Sequence, residues 1–394
     1  MLKMKKLTIS VSFYLLSTLF GQTSGKISGK IIDASTEIPM VGANIIIVQT
    51  QAGISADENG YFNLINVSPG KYSVKAMMIG YETVNIENVV VSVNRTTSLD
   101  IKMKQSVVEG QEVIIYASKL SRKKDQTSTV KNISSEEMAI LPVENLSAVV
   151  NMQAGVVAGH FRGGRSDEVS YMIDGIPVND SFGGVAAVSS LEVEAVKDLE
   201  VITGTFNAEY GRAMSGVVNV VTRDGGPKFE GSVSLGGSSY FTDNNDIFIG
   251  LEPSVNKSQD IKFSLGGPIL GNKITFFSNV RVQSNNGHLN GLKLFEVDNF
   301  SNFYTDDSLL WFSEKTGDSS YVSMNSSNNL SALFKLSFNL FNGIRFSTLY
   351  SHSDDSWQGY DHSFKYNPDG RSTDHKVTNY FAFQLKELPR TTKF

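Results

Sequence analysis

From Phe229 onward the chain alternates apolar and polar residues with period two, and its connections alternate in length. In NLSALFKLSFNLF, Leu330, Ala332, Phe334, Leu336, Phe338 and Leu340 share one face of an extended strand. Ser331, Lys335, Ser337 and Asn339 share the other, with Leu333 as an exception. After the turn Asn342-Gly343, Ile344, Phe346 and Tyr350 alternate with Arg345, Ser347 and Ser351. IKFSLGGPIL and ITFFSNVRVQ repeat the theme across Gly271-Asn272-Lys273, and EGSVSLGG (230–237) and NYFAFQLK (379–386) complete six strands. The connections run long (242–259), short (271–273), long (287–328), short (342–343) and long (354–375). Period two suits any sheet with one wet and one dry face. Alternation of short turns with long loops belongs to a membrane-spanning antiparallel barrel and is not expected of a soluble sandwich. Six strands do not close a barrel, since bacterial barrels start at about eight and a plugged lumen takes about 22. The reading is therefore an incomplete barrel over 229–394, with most of its wall expected beyond Phe394 and the chain a fragment or truncated product.

The remaining 228 residues need a separate account, and composition narrows it. Gly (34), Phe (24) and Tyr (14) are plentiful, which favours strands and turns over helical bundles. A net charge of -5 with no long basic block gives no reason to expect nucleic acid as a partner. The chain has no Cys, which excludes disulfides, thiolate nucleophiles, Cys-ligated zinc and iron–sulfur clusters. At the N-terminus, Lys3, Lys5 and Lys6 precede the apolar run LTISVSFYLLSTLF and the small residues of GQTSG. Such a run is shorter than the ~20 residues a spanning helix needs and reads as a secretory signal peptide over 1–21, cleaved between Gly21 and Gln22. The mature chain is thus expected to be exported.

Residues 25–105 read as short strands between turn clusters: KISGKIID (26–33), GANIIIVQ (42–49), YFNLINV (61–67), GKYSVKAMMIGYE (70–82) and TTSLDIKMK (96–104). Asn59-Gly60 in DENGYF reads as a hairpin tip, because both residues tolerate positive φ. This pattern predicts a two-layer β-sandwich. The phrase order GKISGKIIDASTEIPMVGANIIIV…GISADENGYFNLINVSPGKYSVKAMMIGYET resembles the carboxypeptidase regulatory-like domain, which implies a transthyretin-type sandwich. No peptidase is implied, for the segment contains neither HExxH nor any His.

Residues 106–133 read as a polar linker with a basic cluster (Arg122, Lys123, Lys124) around one β-prone hexad, Glu112, Val113, Ile114, Ile115, Tyr116 and Ala117. Two readings stand side by side: the last strand of the preceding sandwich, or a free strand awaiting the edge of another protein's sheet. Beyond it, Ser134 three residues before Glu137 forms a capping box, and VENLSAVVNMQAGV has apolar residues at helical spacing. EVSYMIDGIPV (168–178) reads as strand, Asp-Gly turn, strand, and EAVKDLEVITG (194–204) and GVVNVVTRDGG (216–226) add two more strands.

Four parts of this stretch occur in a fixed order: Arg162-Gly163, the run Asp174-Gly175-Ile176-Pro177-Val178, Tyr210-Gly211, and the β-rich run from Val217 to Arg223. In that order they resemble the plug domain of TonB-dependent outer-membrane receptors, here over 134–226. The departures are Arg212 and Met214, where small residues are usual. The resemblance implies a mainly β protein: a transthyretin-like sandwich, a small α+β plug, and the first strands of an antiparallel transmembrane barrel. It implies an outer-membrane location, membrane lipid and a small extracellular ligand as partners, and the inner-membrane protein TonB pulling on a periplasmic segment, for which 112–117 is the candidate. The implied activity is active uptake of a scarce nutrient: an iron chelate, cobalamin, an oligosaccharide or a peptide. Arg162 and Arg165 are expected to latch the plug through carboxylates of wall or plug.

No catalytic constellation is visible, and no metal or cofactor is expected. His160, His288, His352, His362 and His375 are scattered, none spaced as a metal helix or a Ser-His-Asp set requires. Asp57, Glu58 and Asn59 read as a hairpin tip rather than a calcium site, TDNNDIF and YTDDSLLW as solvated tips, and the loop YDHSFKYNPDGRSTDH as solvated rather than a metal or siderophore contact. Phe303, Tyr304, Trp311, Phe312, Trp357 and Tyr360 read either as stacking surfaces for ligand rings or as part of an aromatic girdle. The rival function is a secreted or surface-exposed β-rich binding or adhesion protein that works through its N-terminal sandwich.

Overall fold

The computed structural model describes residues 23–106, 112–116, 129–143, 145–178, 188, 191–204, 210, 213–251, 257–271, 273–341 and 343–387. The signal-peptide segment, Ala117, Gly211, Arg212 and most of the linker lie outside the described residues.

The first unit is a two-sheet sandwich. In one sheet β1 (Gly25–Asp33) pairs antiparallel with β4 (Tyr61–Val67) and parallel with β7 (Thr96–Ser98) and β8 (Ile101–Met103). The other runs β3 (Gly53–Ser55), β2 (Asn44–Ile47), β5 (Gly70–Met77), β6 (Thr83–Val91) and β9 (Glu112–Tyr116). Alternate residues of each strand point inward, so Ile27, Ile31, Ile45, Ile47, Val74 and Met103 fill the space between the layers. Two expectations change here. Strand β6 was not foreseen, because a bulge next to Asn88 (φ 60°) breaks its period: Val84 and Ile86 face inward, then Val89 and Val91. Asn59-Gly60 does not close a hairpin. Only Gly60 takes positive φ (76°), and the turn carries the chain from one sheet to the other. The Asp57 carboxylate holds that turn by accepting the amides of Asn59 (2.9 Å) and Tyr61 (2.8 Å).

The second unit is a mixed sheet covered by short helices. Its strand order is β10 (Thr129–Ser134), β15 (Val196–Thr203), β16 (Gly216–Thr222), β13 (Val169–Ile173), β14 (Ile176–Pro177). A small hairpin, β11 (Val156–Val157) with β12 (His160–Phe161), lies beside it. The helix α1 (Ser135–Ala139) begins on the expected capping box, with Ser134 and Glu137 each bonded to the other's backbone. The helix α2 (Leu146–Asn151) is capped by Asn145. Strand β16 is buried on both faces, which is why its sequence, GVVNVVT, is a nearly continuous apolar run. Strand β10 extends this sheet into the segment read as linker. Its antiparallel partner β15 lies about 70 residues further on, so no local pattern announced it.

The third unit is an antiparallel six-stranded wall: β17 (Glu230–Ser238), β18 (Ser258–Leu270), β19 (Ile274–Asn285), β24 (Ser327–Phe341), β25 (Ile344–Trp357) and β26 (Asp374–Glu387). All six expected strands are present in consecutive order, and the sheet is open. The long connection between β19 and β24 holds two small hairpins, β20 (Asn290–Leu292) with β23 (Tyr321–Ser323) and β21 (Ser301–Asn302) with β22 (Phe312–Ser313). In that loop Phe303 and Trp311 pack edge to face at 5.9 Å. On the outer face Leu330, Phe334, Tyr350, Phe381 and Phe383 are exposed, while on the inner face Ser331, Lys335, Ser337, Ser347 and Ser351 are buried against the plug. Leu333, the exception in the sequence pattern, joins Phe277, Leu349 and Ala382 in an inner apolar patch continuous with the plug core.

Phe161 is fully buried in that core, and it lies against Gly216, where any Cβ would collide with its ring. Phe161→Ala should therefore cost about 3–5 kcal/mol. Val157→Ala, on the exposed side of the same hairpin, should shift stability by less than about 0.5 kcal/mol. Urea unfolding of the two variants, followed by hydrogen exchange of the plug amides, checks the contrast.

Candidate functional site

The candidate functional surface is the seam between plug and wall, and the Asp174-Gly175 turn is its centre. Ile173 pairs with Ile176, so two residues close the hairpin, both at positive φ (51° and 80°) as a type I′ turn requires. Asp tolerates that conformation because its side chain bonds locally, and here the bonds are specific. Its carboxylate accepts the amide of Thr222 (2.9 Å), the Thr222 hydroxyl (2.7 Å) and the Lys335 ammonium (2.9 Å). Gln384 of β26 donates to the Asp174 carbonyl at 2.8 Å, and Gly175 N–H donates to Asn219. Pro177, opposite Met172 on the outermost strand, lacks a donor where no neighbour needs one.

Asp224 lies two residues past β16. It pairs with Lys335 (3.1 Å) and Arg345 (3.4 Å) and accepts the Ser337 hydroxyl (3.2 Å). Burial works to raise its carboxyl pKa, but Arg345, Lys335 and Lys197 together hold it well below the usual carboxylate range. The chain then approaches the wall so closely that a Cβ on Gly225 would stand 2.1 Å from the Phe276 carbonyl. All these groups lie at the short-turn end of the wall.

A second cluster lies toward the long loops. Arg281 donates in parallel to both oxygens of Asp260 (2.8 Å each) and reaches Glu192 at 3.0 Å. Glu192 also accepts the Ser331 hydroxyl (2.9 Å), and Lys262 reaches Glu194 at 3.0 Å. Burial raises the Glu192 carboxyl pKa against the pull of Arg281. The plug thus meets the wall with carboxylates, and the wall answers with cations.

The two arginines expected as a latch lie apart from both clusters, and one of them meets a plug carboxylate. Arg165 pairs with Asp167 at 2.9 Å on the plug's own exposed surface, and Arg162 donates to the Thr129 hydroxyl at 2.7 Å. Among the described residues neither is paired with the wall. Arg162 has positive φ (49°), and its amide donates to the Gly155 carbonyl, which lays the guanidinium along the plug beside Gly204. The signal that could have found the true contacts is a full charge among small polar residues on an inner face. Lys335, Arg281 and Arg345 each stand so in their strands, and each demands an opposite charge when buried.

The sandwich docks on the plug through the turn between β6 and β7. Val93 N–H donates to Asp198 (2.9 Å), Asn94 donates to Glu200 (3.0 Å) and to the Tyr210 hydroxyl (3.2 Å), and Arg95 donates to the Val130 carbonyl (2.6 Å). Tyr210, a motif residue, therefore serves the sandwich contact while its ring packs near Met172, Ile202 and Val217. The strand 112–116 pairs in parallel with residues 83–87 as the edge of the second sandwich sheet. The histidines stay apart: His160 faces the Gly164 carbonyl, His352 faces Asn379, and His288 packs between Tyr240 and Phe248.

Two tests address the seam. Removing one partner of a buried ion pair costs about 3–5 kcal/mol, whereas an exposed pair contributes about 0–1. Asp174→Asn should thus destabilise the docked plug by about that larger amount and Arg165→Gln by almost nothing, as read by hydrogen exchange at Thr222 and Val220. The sandwich contact should depend on pH, because burial pushes the Asp198 carboxyl up to about 6, against the Val93 amide and Asn132. An acid whose pKa is raised on folding contributes most when protonated in both states. Stability should fall by about 1.4 kcal/mol per unit as pH rises from roughly 4 to roughly 6, then level off. Subtracting the curve of Asp198→Asn from that of the parent chain isolates this term.

Comparison with known proteins agrees with the two N-terminal units. Residues 27–115 match the family model of the CarboxypepD_reg-like domain, and residues 122–218 match that of the TonB-dependent receptor plug domain. The TonB-dependent transporter Oar of Myxococcus xanthus is 25% identical over 319 residues, covering 74% of this chain and 30% of Oar. The vitamin B12 transporter BtuB of Vibrio vulnificus is 27% identical over 148 residues, covering 34% of this chain and 24% of that protein. A mutant ferric enterobactin receptor (PfeA) from Pseudomonas aeruginosa superposes with a TM-score of 0.44 at 17% identity, over 66% of this chain and 38% of its own. The chain thus spans less than a third of the length of either curated relative. It carries a CarboxypepD_reg-like domain ahead of a TonB-dependent receptor plug domain, and it is similar to TonB-dependent transporters and receptors.

Proposed function

We propose that the chain serves, in the bacterial outer membrane, the energised uptake of a scarce extracellular nutrient. The observation that carries this reading is the acidic plug held by buried ion pairs on the polar inner face of a sheet whose outer face is apolar. Such a sheet can present Leu330, Phe334 and Phe381 to lipid while its inner face encloses a removable stopper. A stopper held by hydrogen bonds and ion pairs can be released into water, since each broken contact is replaced by hydration. One held by a large apolar interface would expose that surface on every cycle.

The energy is supplied through TonB. The strand 112–116 has one edge paired to β6, and its other edge has no partner strand among the described residues. A strand from TonB can add there by backbone hydrogen bonds, and the linker that follows leads directly into β10. The ligand is a small nutrient captured on the long-loop side, in the class of iron chelates, cobalamin, oligosaccharides or peptides. Vitamin B12 transport by one relative is in keeping with that range.

The test uses an edge position. Ile114→Pro removes one backbone donor from β9 and leaves the inward core of β1, β2 and β5 untouched. In cells expressing the full-length receptor it should abolish both cross-linking of 112–116 to TonB and energy-dependent uptake. Retained cross-linking with normal uptake would refute the assignment of this segment. Uptake that persists in a strain lacking TonB would refute the function.

A further inference from the structure

The short-turn end of the seam carries more positive charge than its carboxylates balance. Lys335, Arg345 and Lys386 stand on the inner faces of β24, β25 and β26, and Lys197 comes from β15 of the plug. All four act on Asp224, and Asp174 is the other carboxylate of the cluster. Four cations against these two carboxylates leave an excess of two, of which Asp198, acting on Lys197 alone among the four, offsets one when ionised.

The register sharpens this. Arg345 and Lys386 are direct cross-strand partners, the arrangement in which like charges repel most in a sheet. Each has the same parity as the buried residues of its strand, Ser347 and Leu349 for one and Ala382 and Gln384 for the other, so both point toward the plug. Arg345 reaches Asp224 only at 3.4 Å through one terminal nitrogen, and its Nε is buried without a hydrogen-bond partner. Lys386 makes no ion pair among the described residues. The carboxylate oxygens nearby are committed elsewhere: those of Asp174 to Thr222 and Lys335, and Oδ1 of Asp224 to Lys335 and Ser337. A buried guanidinium edge and an ammonium on one face, with no shared acceptor among the described residues, make the donor set of an oxyanion site.

We propose that Arg345 and Lys386, with Lys197 across the seam, bind a doubly charged tetrahedral oxyanion, phosphate or sulfate, free or carried on a larger ligand. Arg345 supplies a directed donor pair through Nε and its second terminal nitrogen, and the two lysines supply point charge. Two negative charges neutralise the excess and remove the repulsion across the β25–β26 pair. The site is a property of the resting, docked plug and does not depend on the uptake reading. The alternative relief of the same excess is loss of protons from the lysines, and burial does lower the Lys197 pKa.

The experiment is equilibrium binding of radiolabelled inorganic phosphate to the full chain in detergent micelles, with sulfate as competitor and chloride keeping ionic strength constant. The expected result is saturable binding of one phosphate per chain, displaced by sulfate. Arg345→Gln and Lys386→Gln should each weaken it by about tenfold or more, the loss expected for one charge-assisted contact. Lys273→Gln, in the exposed short turn between β18 and β19, should leave it unchanged. Because Arg345→Gln also loosens Asp224, Lys386→Gln is the decisive variant: it removes no ion pair of the docked plug. Absence of saturable binding, or equal binding by the parent chain and Lys386→Gln, overturns the site and assigns the balance to deprotonated lysines.

Discussion

Lys335 is enclosed between wall and plug, and an ammonium so placed costs several kcal/mol in lost hydration unless its surroundings replace the water. Asp174, Asp224 and the Thr222 hydroxyl do so, at 2.9, 3.1 and 2.8 Å. The rest of the seam follows from that requirement. Asp174 can meet Lys335 only because the Asp-Gly turn projects beyond the end of β13. The turn holds its angle because Thr222, at the end of the parallel strand β16, grips both carboxylate oxygens. One buried charge on the wall thereby fixes the height of the plug's sheet.

Buried ion pairs are weak sources of net stability and strong sources of geometric specificity. The two clusters lie at opposite ends of the seam, and between them Phe277, Leu333, Leu349 and Ala382 continue the plug core into the wall. The apolar patch supplies non-directional attraction, whereas Arg281 with Glu192 and Lys335 with Asp174 admit only one register. A plug that slid along the wall by one residue pair would draw its carboxylates away from the wall cations at both ends. Position is therefore set at both ends, and affinity in the middle.

What the sequence displays of this arrangement depends on whether the partners are local. The six wall strands, the capping box at Ser134 and Glu137 and the Asp-Gly turn are written in neighbouring residues, and each has the expected form. Strand β6 was hidden because one residue at Asn88 resets its period, and β10 because its partner is far along the chain. The partners across the seam are hidden for the same reason. Arg162 and Arg165 stand out by local charge density, yet their partners are Thr129 and Asp167 within the plug. Lys335, Arg281 and Arg345 are single charges in strands, and nothing nearby names Asp174, Glu192 or Asp224. A charge on the inner face of a strand announces that an opposite charge exists without saying where.

Strand order within the plug decides how a load on the linker would act. The linker enters at Thr129, the first residue of β10, and β10 is an edge strand bonded only to β15. The hairpin carrying Asp174, β13 with β14, is at the opposite edge, beyond β15 and β16. A pull from the sandwich side therefore meets the Arg162–Thr129 bond and the β10–β15 ladder before it meets the wall. That ladder is antiparallel and loaded from one end, so its hydrogen bonds open singly and in sequence rather than together. The Asp174–Lys335 pair lies last in that sequence, shielded by two strands buried on both faces. Partial opening next to the linker is thus mechanically separable from release of the plug, and the buried lysine on the wall is what keeps the two apart.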